Sequence, residues 1–465
     1  MIPRSARQGS DLAFTWALAC VALGPRLLIA LVFSHEPVWD GHYYHFGAER
    51  IAAGLGYSED VVVNGVTVWK PWTHYPVGYS AFLGALYKLF GSSIVVAPVA
   101  NAVVGTLTVV VAHRLARYYL SETRARVAGA LCALHPGLIA YSAVVMTEPL
   151  AAFLLLLAGY AAVRFRGRRL AVPLAGVLFG LAALVRPASL LAIPLFFFTT
   201  PRPVLPALGR TVATLAVALL TLSPWTIRNC RVMDGCALVS TNGGWNLAIG
   251  ALTEDGRFRT LRAADGCPIV TGQVQQDRCW AEVGKNIIRK DPLRWLQQAP
   301  KKLSQTFDHE SFAIEYLHEA SPEQWPEPRR VAGRELLTTF HWLLMVLASL
   351  SPIALVTSPR RRTARLTQTA LLLSVVGYAA YCLAQPPPPP FFALMVMTPF
   401  LALLPFPGRP RQGPVGLYLL GLLGVTTLTH AVFFGDDRYH LVVAPALCIL
   451  AAAALRPARP TRQRL

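Results

Sequence analysis

Four ionisable residues stand where apolar stretches of this chain end: Asp40, Glu148, Arg186 and Arg438. Two carboxylates and two guanidinium groups make a set that can take a proton from a hydroxyl and stabilise an anionic leaving group. Gathered at one membrane face from distant segments, they would suit chemistry on a lipid phosphate. Singly, each has a plainer explanation. Asp40 opens Trp39-Asp40-Gly41-His42-Tyr43-Tyr44, and Asp is a favoured helix N-cap. The aromatic cluster beside it equally allows a buried carboxylate with a tuned pKa, acting as general base. Glu148, in Met146-Thr147-Glu148-Pro149, fits a first-turn acid on a helix dipole. Arg186-Pro187 fits an arginine snorkelling to the interface. Arg438, in Gly435-Asp436-Asp437-Arg438-Tyr439-His440, has two aspartates beside it to pair with. Arg26 lies inside the first apolar run, where an arginine is functional or paired by default.

The elements that must position these groups follow from composition. Of 465 residues, 54% are hydrophobic and 14% charged, which describes a mostly membrane-embedded chain and not a soluble domain with one anchor. The net charge of +19 maps onto short segments between apolar runs. Those around residues 4–7, 114–126, 164–169, 202–210, 360–365, 409–411 and 456–464 hold 22 basic residues against Asp11 and Glu122, a balance of +20. The remainder holds 21 basic and 22 acidic residues, a balance of −1. That is the positive-inside asymmetry of cytoplasmic loops, and nucleic acid is not implied. With those loops cytoplasmic, about twelve crossings of roughly 20 residues are expected. They lie near 12–33, 92–113, 127–144, 148–163, 170–185, 187–200, 211–227, 336–357, 366–384, 391–406, 413–434 and 440–455. Both termini come out cytoplasmic, the first crossing being retained and not a cleaved signal.

Two stretches are too polar to span, 34–91 and 228–335, and both fall on the outer side. The second has soluble-domain composition and carries Cys230, Cys236, Cys267 and Cys279, an even set where disulfides persist; three pairings are open. Cys20, Cys132, Cys382 and Cys448 lie in apolar runs as small core residues. Within 280–307, helices broken at Pro292 and Pro300 would place Trp295, Lys301 and Lys302 at the headgroup layer, or simply form a cap. Pro386–Pro390 dictates extended polyproline II, most simply a spacer. The chain divides into an N-terminal transmembrane module (1–227), the extracytoplasmic loop domain (228–335) and a C-terminal transmembrane module (336–465). No Cys/His spacing resembles a zinc site and no glycine loop would cradle a nucleotide.

In their order, several motifs resemble the GT-C glycosyltransferases. They are Asp40 after the first span, the run from Tyr43 to Tyr57, His74-Tyr75-Pro76-Val77-Gly78-Tyr79, Met146-Thr147-Glu148-Pro149 and Leu184-Val185-Arg186-Pro187. Asn242-Gly243-Gly244-Trp245-Asn246-Leu247 and Arg438-Tyr439 fit the same pattern. The branch resembled is that of bacterial relatives of dolichyl-phosphate-mannose protein mannosyltransferases and of the lipid A aminoarabinose transferase. The resemblance implies an inverting transferase with a polyprenyl-phosphate sugar donor and an acceptor glycan, lipid or protein. It sets Asp40 at the acceptor hydroxyl and Glu148 nearer substrate positioning. Tyr44, Lys70, His74, Tyr75, Arg186, Arg438 and Tyr439 become substrate-binding candidates, with Lys70 and His74 competing for the basic slot before the Pro-x-Gly-Tyr run. The protein mannosyltransferases carry Asp-Glu where this chain has Asp40-Gly41.

The expectation is therefore an all-α polytopic enzyme of the bacterial inner membrane, in contact with membrane lipids. Its site faces away from the cytoplasm; no cofactor is evident and divalent-metal dependence is open. A transporter or flippase for a lipid-linked sugar would instead favour internal repeats and mid-membrane charges. A non-catalytic assembly protein on the same scaffold is the third possibility.

Overall fold

A computed structural model of the chain describes residues 4–201, 203–268, 272–354, 362–385, 389–403 and 413–455. Arg202, Arg360, Arg361, Arg409, Arg411, the arginines from 456 onward and Pro386–Pro388 lie outside the described residues. The fold is all-α and polytopic. Seven helical segments, among the described residues, are long and apolar enough to cross a membrane: Asp11–Val32, Val96–Ala116, Val204–Val232, Glu327–Ile353, Arg365–Leu383, Pro414–Val432 and Asp437–Ala454. Each matches an expected crossing. The other five expected crossings are shorter helical stretches. They are Glu148–Arg164, Ala171–Val185, Phe392–Leu403, the 3-10 stretch Pro187–Leu195 continued by Phe196–Thr199, and a broken pair. That pair is Glu122–Ala133 and Pro136–Ala140, interrupted at His135-Pro136, where proline ends one helix and starts the next.

The centre of the bundle is the alanine-rich Asp437–Ala454 segment, 83% buried, whereas Val204–Val232 and Arg365–Leu383 are 22% buried and turn most of their surface outward. Small residues let helix backbones approach closely where no solvent drives association. The Ala444–Ala454 helix accordingly packs on Glu327–Ala354 and on Glu122–Ala133. Arg26 is fully buried and donates to the carbonyls of Ala22, Cys132 and Ala133, a structural tie between the first helix and the broken pair. Cys132, Cys382 and Cys448 are buried as expected; Cys20 is exposed, on the outward face of the first helix.

The segment 34–91 adds the helices Asp40–Ala52 and Val77–Phe90 and one feature absent from the sequence expectation, an antiparallel hairpin of β1 (Ser58–Val63) and β2 (Val66–Pro71). Asn64 and Gly65 turn it with positive φ at both positions, the geometry that an Asn-Gly pair favours. Residues 228–335 pack as short helices, with disulfides joining Cys230 to Cys236 and Cys267 to Cys279. The breaks at Pro292 and Pro300 are present, each proline sitting in a first helical turn. Lys302 departs from expectation. It is fully buried, its Nζ lying 3.4 and 3.1 Å from the Ala431 and Val432 carbonyls, where it caps the C-terminal end of the Pro414–Val432 helix.

Candidate active site

Helix polarity brings the site together. Glu148 begins the helix Glu148–Arg164, which ends in the basic cluster of Arg164 and Arg166. The next helix runs back from that cluster and ends at Arg186. Asp40 begins its own helix, and Arg438 lies in the short 3-10 turn Asp437–Val443 leading into the last helix. Glycines permit the closest approaches. A Cβ at Gly78 would fall 2.5 Å from the Leu184 carbonyl carbon, so the Val77 helix rests on the backbone just before Arg186. A Cβ at Gly41 would fall 2.6 Å from the Tyr316 hydroxyl and 2.8 Å from the Val145 carbonyl oxygen. A glutamate cannot fit at 41 in this packing, which gives the Asp-Gly sequence a steric reason.

Asp40 does not cap its helix: Trp39 occupies the N-cap position and no side-chain cap bond is made. Its Oδ1 accepts from the Tyr75 hydroxyl at 2.7 Å and its Oδ2 from Arg438 Nη1 at 2.7 Å, across 398 positions of sequence. Burial alone would raise the Asp40 pKa, but the Arg438 charge and the two hydrogen bonds outweigh it, and the carboxyl is held below its ordinary range. Trp39, immediately before it, has φ 51°, a strained left-handed conformation for a bulky residue. Its ring is held by Phe312 and Tyr316 at 5.4 and 5.9 Å.

Glu148 is buried and forms an ion pair with Arg186 Nη1, which also lies 3.2 Å from the Thr147 hydroxyl. The Tyr439 ring links the two halves, with the Arg186 guanidinium 5.0 Å and the Arg438 guanidinium 5.1 Å from its centroid. Cation–π contacts of this kind contribute roughly 0.5–2 kcal/mol each. His430 stacks on Tyr439 at 4.2 Å, and Phe312 lies 5.1 Å from Arg438. Arg438 prefers Asp40 to its sequence neighbours. Asp436 stands 3.8 Å off, and Asp437 instead receives the Ser311 and Phe312 amides.

These groups line a cavity of about 1540 Å³. Tyr44, His74, Tyr75 and Tyr439 belong to its wall. Burial lowers the His74 pKa despite Asp40, keeping the ring neutral near pH 7. Lys70, its competitor, is exposed on β2 opposite Glu59 and does not line the cavity. Of the site candidates it alone stands apart. From the polar end the wall turns apolar along Val185, Leu190, Leu191, Leu422 and Val425. On the other flank it continues past Phe312 to Glu315, which pairs with Arg330. His430, Phe312 and Trp39 are contributors that sequence reasoning did not single out. His430 sits on an apolar helix, and the two aromatics carry no signal apart from those of ordinary core residues.

Residues 74–227, about a third of the chain, match the family model of dolichyl-phosphate-mannose-protein mannosyltransferases. The match covers His74, Tyr75, Glu148 and Arg186 and agrees with the resemblance read from the motifs. No curated protein matches the chain. Among solved structures, the chain is similar to the archaeal oligosaccharyltransferase AglB from Archaeoglobus fulgidus, in complex with an inhibitory peptide and a dolichol-phosphate. Identity there is 14% and the TM-score 0.49, covering 96% of this chain and 50% of that one. It is also similar to ArnT from Cupriavidus metallidurans bound to undecaprenyl phosphate, at 15% identity and TM-score 0.36, covering 96% and 77%. The chain thus spans about half the length of the oligosaccharyltransferase. At such values neither protein lends residue roles to this one.

Proposed function

We propose that this multi-span membrane protein is an inverting glycosyltransferase. It would move a sugar from a polyprenyl-phosphate donor to an acceptor hydroxyl at the face of the bacterial inner membrane away from the cytoplasm. The observation that carries the reading is the double arginine–carboxylate set around Tyr439, at the polar end of a cavity whose wall turns apolar. The apolar wall suits an isoprenoid tail, and the two guanidinium groups suit the phosphate between tail and sugar. The family match over 74–227 supports the same donor class. The charge partition and the two disulfides support the sidedness.

In this mechanism the acceptor hydroxyl sits against Asp40, which is ionised at neutral pH and oriented by Tyr75. As the acceptor oxygen bonds to the anomeric carbon from one face, its proton passes to Asp40. The bond to phosphate oxygen breaks on the opposite face, and polyprenyl phosphate leaves with its charge held by Arg186 and Arg438. Inversion follows from that geometry. Glu148 positions Arg186. Toward Glu315 and Arg330 the cavity offers polar walls to a hydroxyl-rich acceptor. The test is transfer by the purified protein from a panel of polyprenyl-phosphate sugars, with lipid phosphate release measured. A protein that folds, binds polyprenyl phosphate and turns over no member of the panel with any acceptor contradicts the proposal.

A further inference from the structure

Behind the cavity the bundle closes over a second group of ionisable side chains that the transfer reaction does not use. Glu310, His341 and His440 are fully buried, and their potential ligand atoms all lie within 4.8 Å of one another. Glu310 stands just before the helix Phe312–Ala320, His341 lies in Glu327–Ala354, and His440 in the turn Asp437–Val443.

The hydrogen bonds around this group fix both tautomers. His341 Nε2 lies 3.0 Å from the Phe307 carbonyl oxygen, and His440 Nδ1 lies 2.6 Å from that of Thr306. A carbonyl oxygen only accepts, so those two nitrogens carry the hydrogens. The lone pairs are left on His341 Nδ1 and His440 Nε2. Neither free nitrogen has a hydrogen-bond partner, nor does either oxygen of Glu310. Acceptors that make no hydrogen bond, crowded together in the interior, cost several kcal/mol, and a cation among them would satisfy them together. A proton on His440 would satisfy one contact, its Nε2 being 3.7 Å from Glu310 Oε2, and leave His341 Nδ1 bare.

We propose that Glu310, His341 and His440 bind one divalent transition-metal ion of the zinc class. Two imidazoles and one carboxylate are a known zinc donor set, and a ligating histidine typically gives its other N–H to a carbonyl, as both do here. Tetrahedral bonds of about 2.0–2.1 Å imply donor separations of roughly 3.4 Å. The 3.7 Å pair is close to that, and small side-chain rotations close the rest. Gly137 makes room for the carboxylate, since a Cβ there would fall 1.6 Å from Glu310 Oε1. His135 accepts the Leu138 amide at Nδ1, which puts its hydrogen on Nε2 as a donor beside Glu310. The ion would join three elements, one of them the turn that bears Arg438 and Tyr439.

The test uses untagged, detergent-purified wild-type protein, stripped with chelator and reloaded with Zn2+. Elemental analysis is expected to give about one zinc per chain, and the His341→Ala/His440→Ala double variant to retain less than about a tenth of that. Cobalt titrated into the stripped wild type should saturate at one equivalent with the visible spectrum of a tetrahedral site. Should the double variant not fold, Glu310→Gln is the milder probe, and the cobalt titration decides without any variant. Wild-type protein that takes up neither metal stoichiometrically, or a folded double variant that binds as the wild type does, overturns the proposal.

Discussion

The most discriminating perturbation is Asp40→Asn. The carboxylate receives one hydrogen bond from Tyr75 and one from Arg438, each at 2.7 Å. Asparagine can turn its oxygen to Arg438 and its amide to Tyr75, whose hydroxyl reverses to accept, so both contacts survive as neutral-acceptor bonds. The loss to stability is then the difference between a charged and a neutral acceptor, about 1–2 kcal/mol. Arg438 loses its principal counter-charge and should bind a donor phosphate no worse. A base role requires instead that turnover fall by about 10²–10⁴, or roughly 3–5 kcal/mol on the barrier. The expected signature is thus a collapse of kcat with KM for the donor unchanged or lower. A purely structural role predicts a rise in KM or a loss of fold with little change in kcat. The assay is steady-state release of polyprenyl phosphate in nanodiscs over a range of donor concentrations, alongside direct binding of undecaprenyl phosphate. Turnover within threefold of wild type would remove Asp40 from the chemistry and bring Glu148 forward.

Arg438→Gln should weaken undecaprenyl-phosphate binding by about tenfold or more and recover partly as Arg438→Lys, since a point charge replaces part of the guanidinium contact; equal affinity for all three contradicts its phosphate role. Gly41→Ala should cost roughly 1–3 kcal/mol through collision with Tyr316 and Val145, read as a lowered Tm, and an unchanged Tm refutes that packing. Because the Asp40 pKa is depressed, its ionised state and its contribution to stability are present above the unfolded value near pH ~4 and are lost only as pH falls through the lower folded value. The kcat/KM profile should therefore show no acid limb from this group between pH 5 and 7, and such a limb abolished by Asp40→Asn opposes the assignment. Mass spectrometry of unreduced, thiol-blocked protein should find peptides linked 230–236 and 267–279, and a reporter at Thr260 should be reached from outside the cell; four alkylated cysteines or a cytoplasmic reporter would defeat the sidedness argument.

Apolar length and charge located the crossings, because a membrane span needs length and apolarity, both local properties. The partition of arginine also told which helix ends share a face with Asp40, Glu148, Arg186 and Arg438. Partnership within that face was not legible. Asp436 and Asp437 are the obvious partners of Arg438 in sequence, yet it reaches Asp40 at the other end of the chain, because the turn before the last helix directs it across the bundle. The capping alternative for Asp40 was undecidable without seeing where its oxygens point. Lys70 and His74 were separated only by the hairpin, which carries Lys70 outward while His74 follows it into the cavity wall. The hairpin itself is written in Asn64-Gly65 with valines on both sides, the signal of a two-residue hairpin turn. Glu310, His341 and His440 share no spacing that a motif could register.

The paired arginines have a consequence for the order of events. Asp40 is paired with Arg438 and Glu148 with Arg186, so in the resting site each of these cations is already engaged by a carboxylate. If the donor is a lipid phosphate, as proposed, its phosphate would compete with Asp40 and Glu148 for the same cations. To whatever extent Arg438 turns to the phosphate, Asp40 loses the contact that depresses its basicity. In the proposed transferase, a base strengthened by the seated donor would be quiet in its absence, which would favour donor before acceptor.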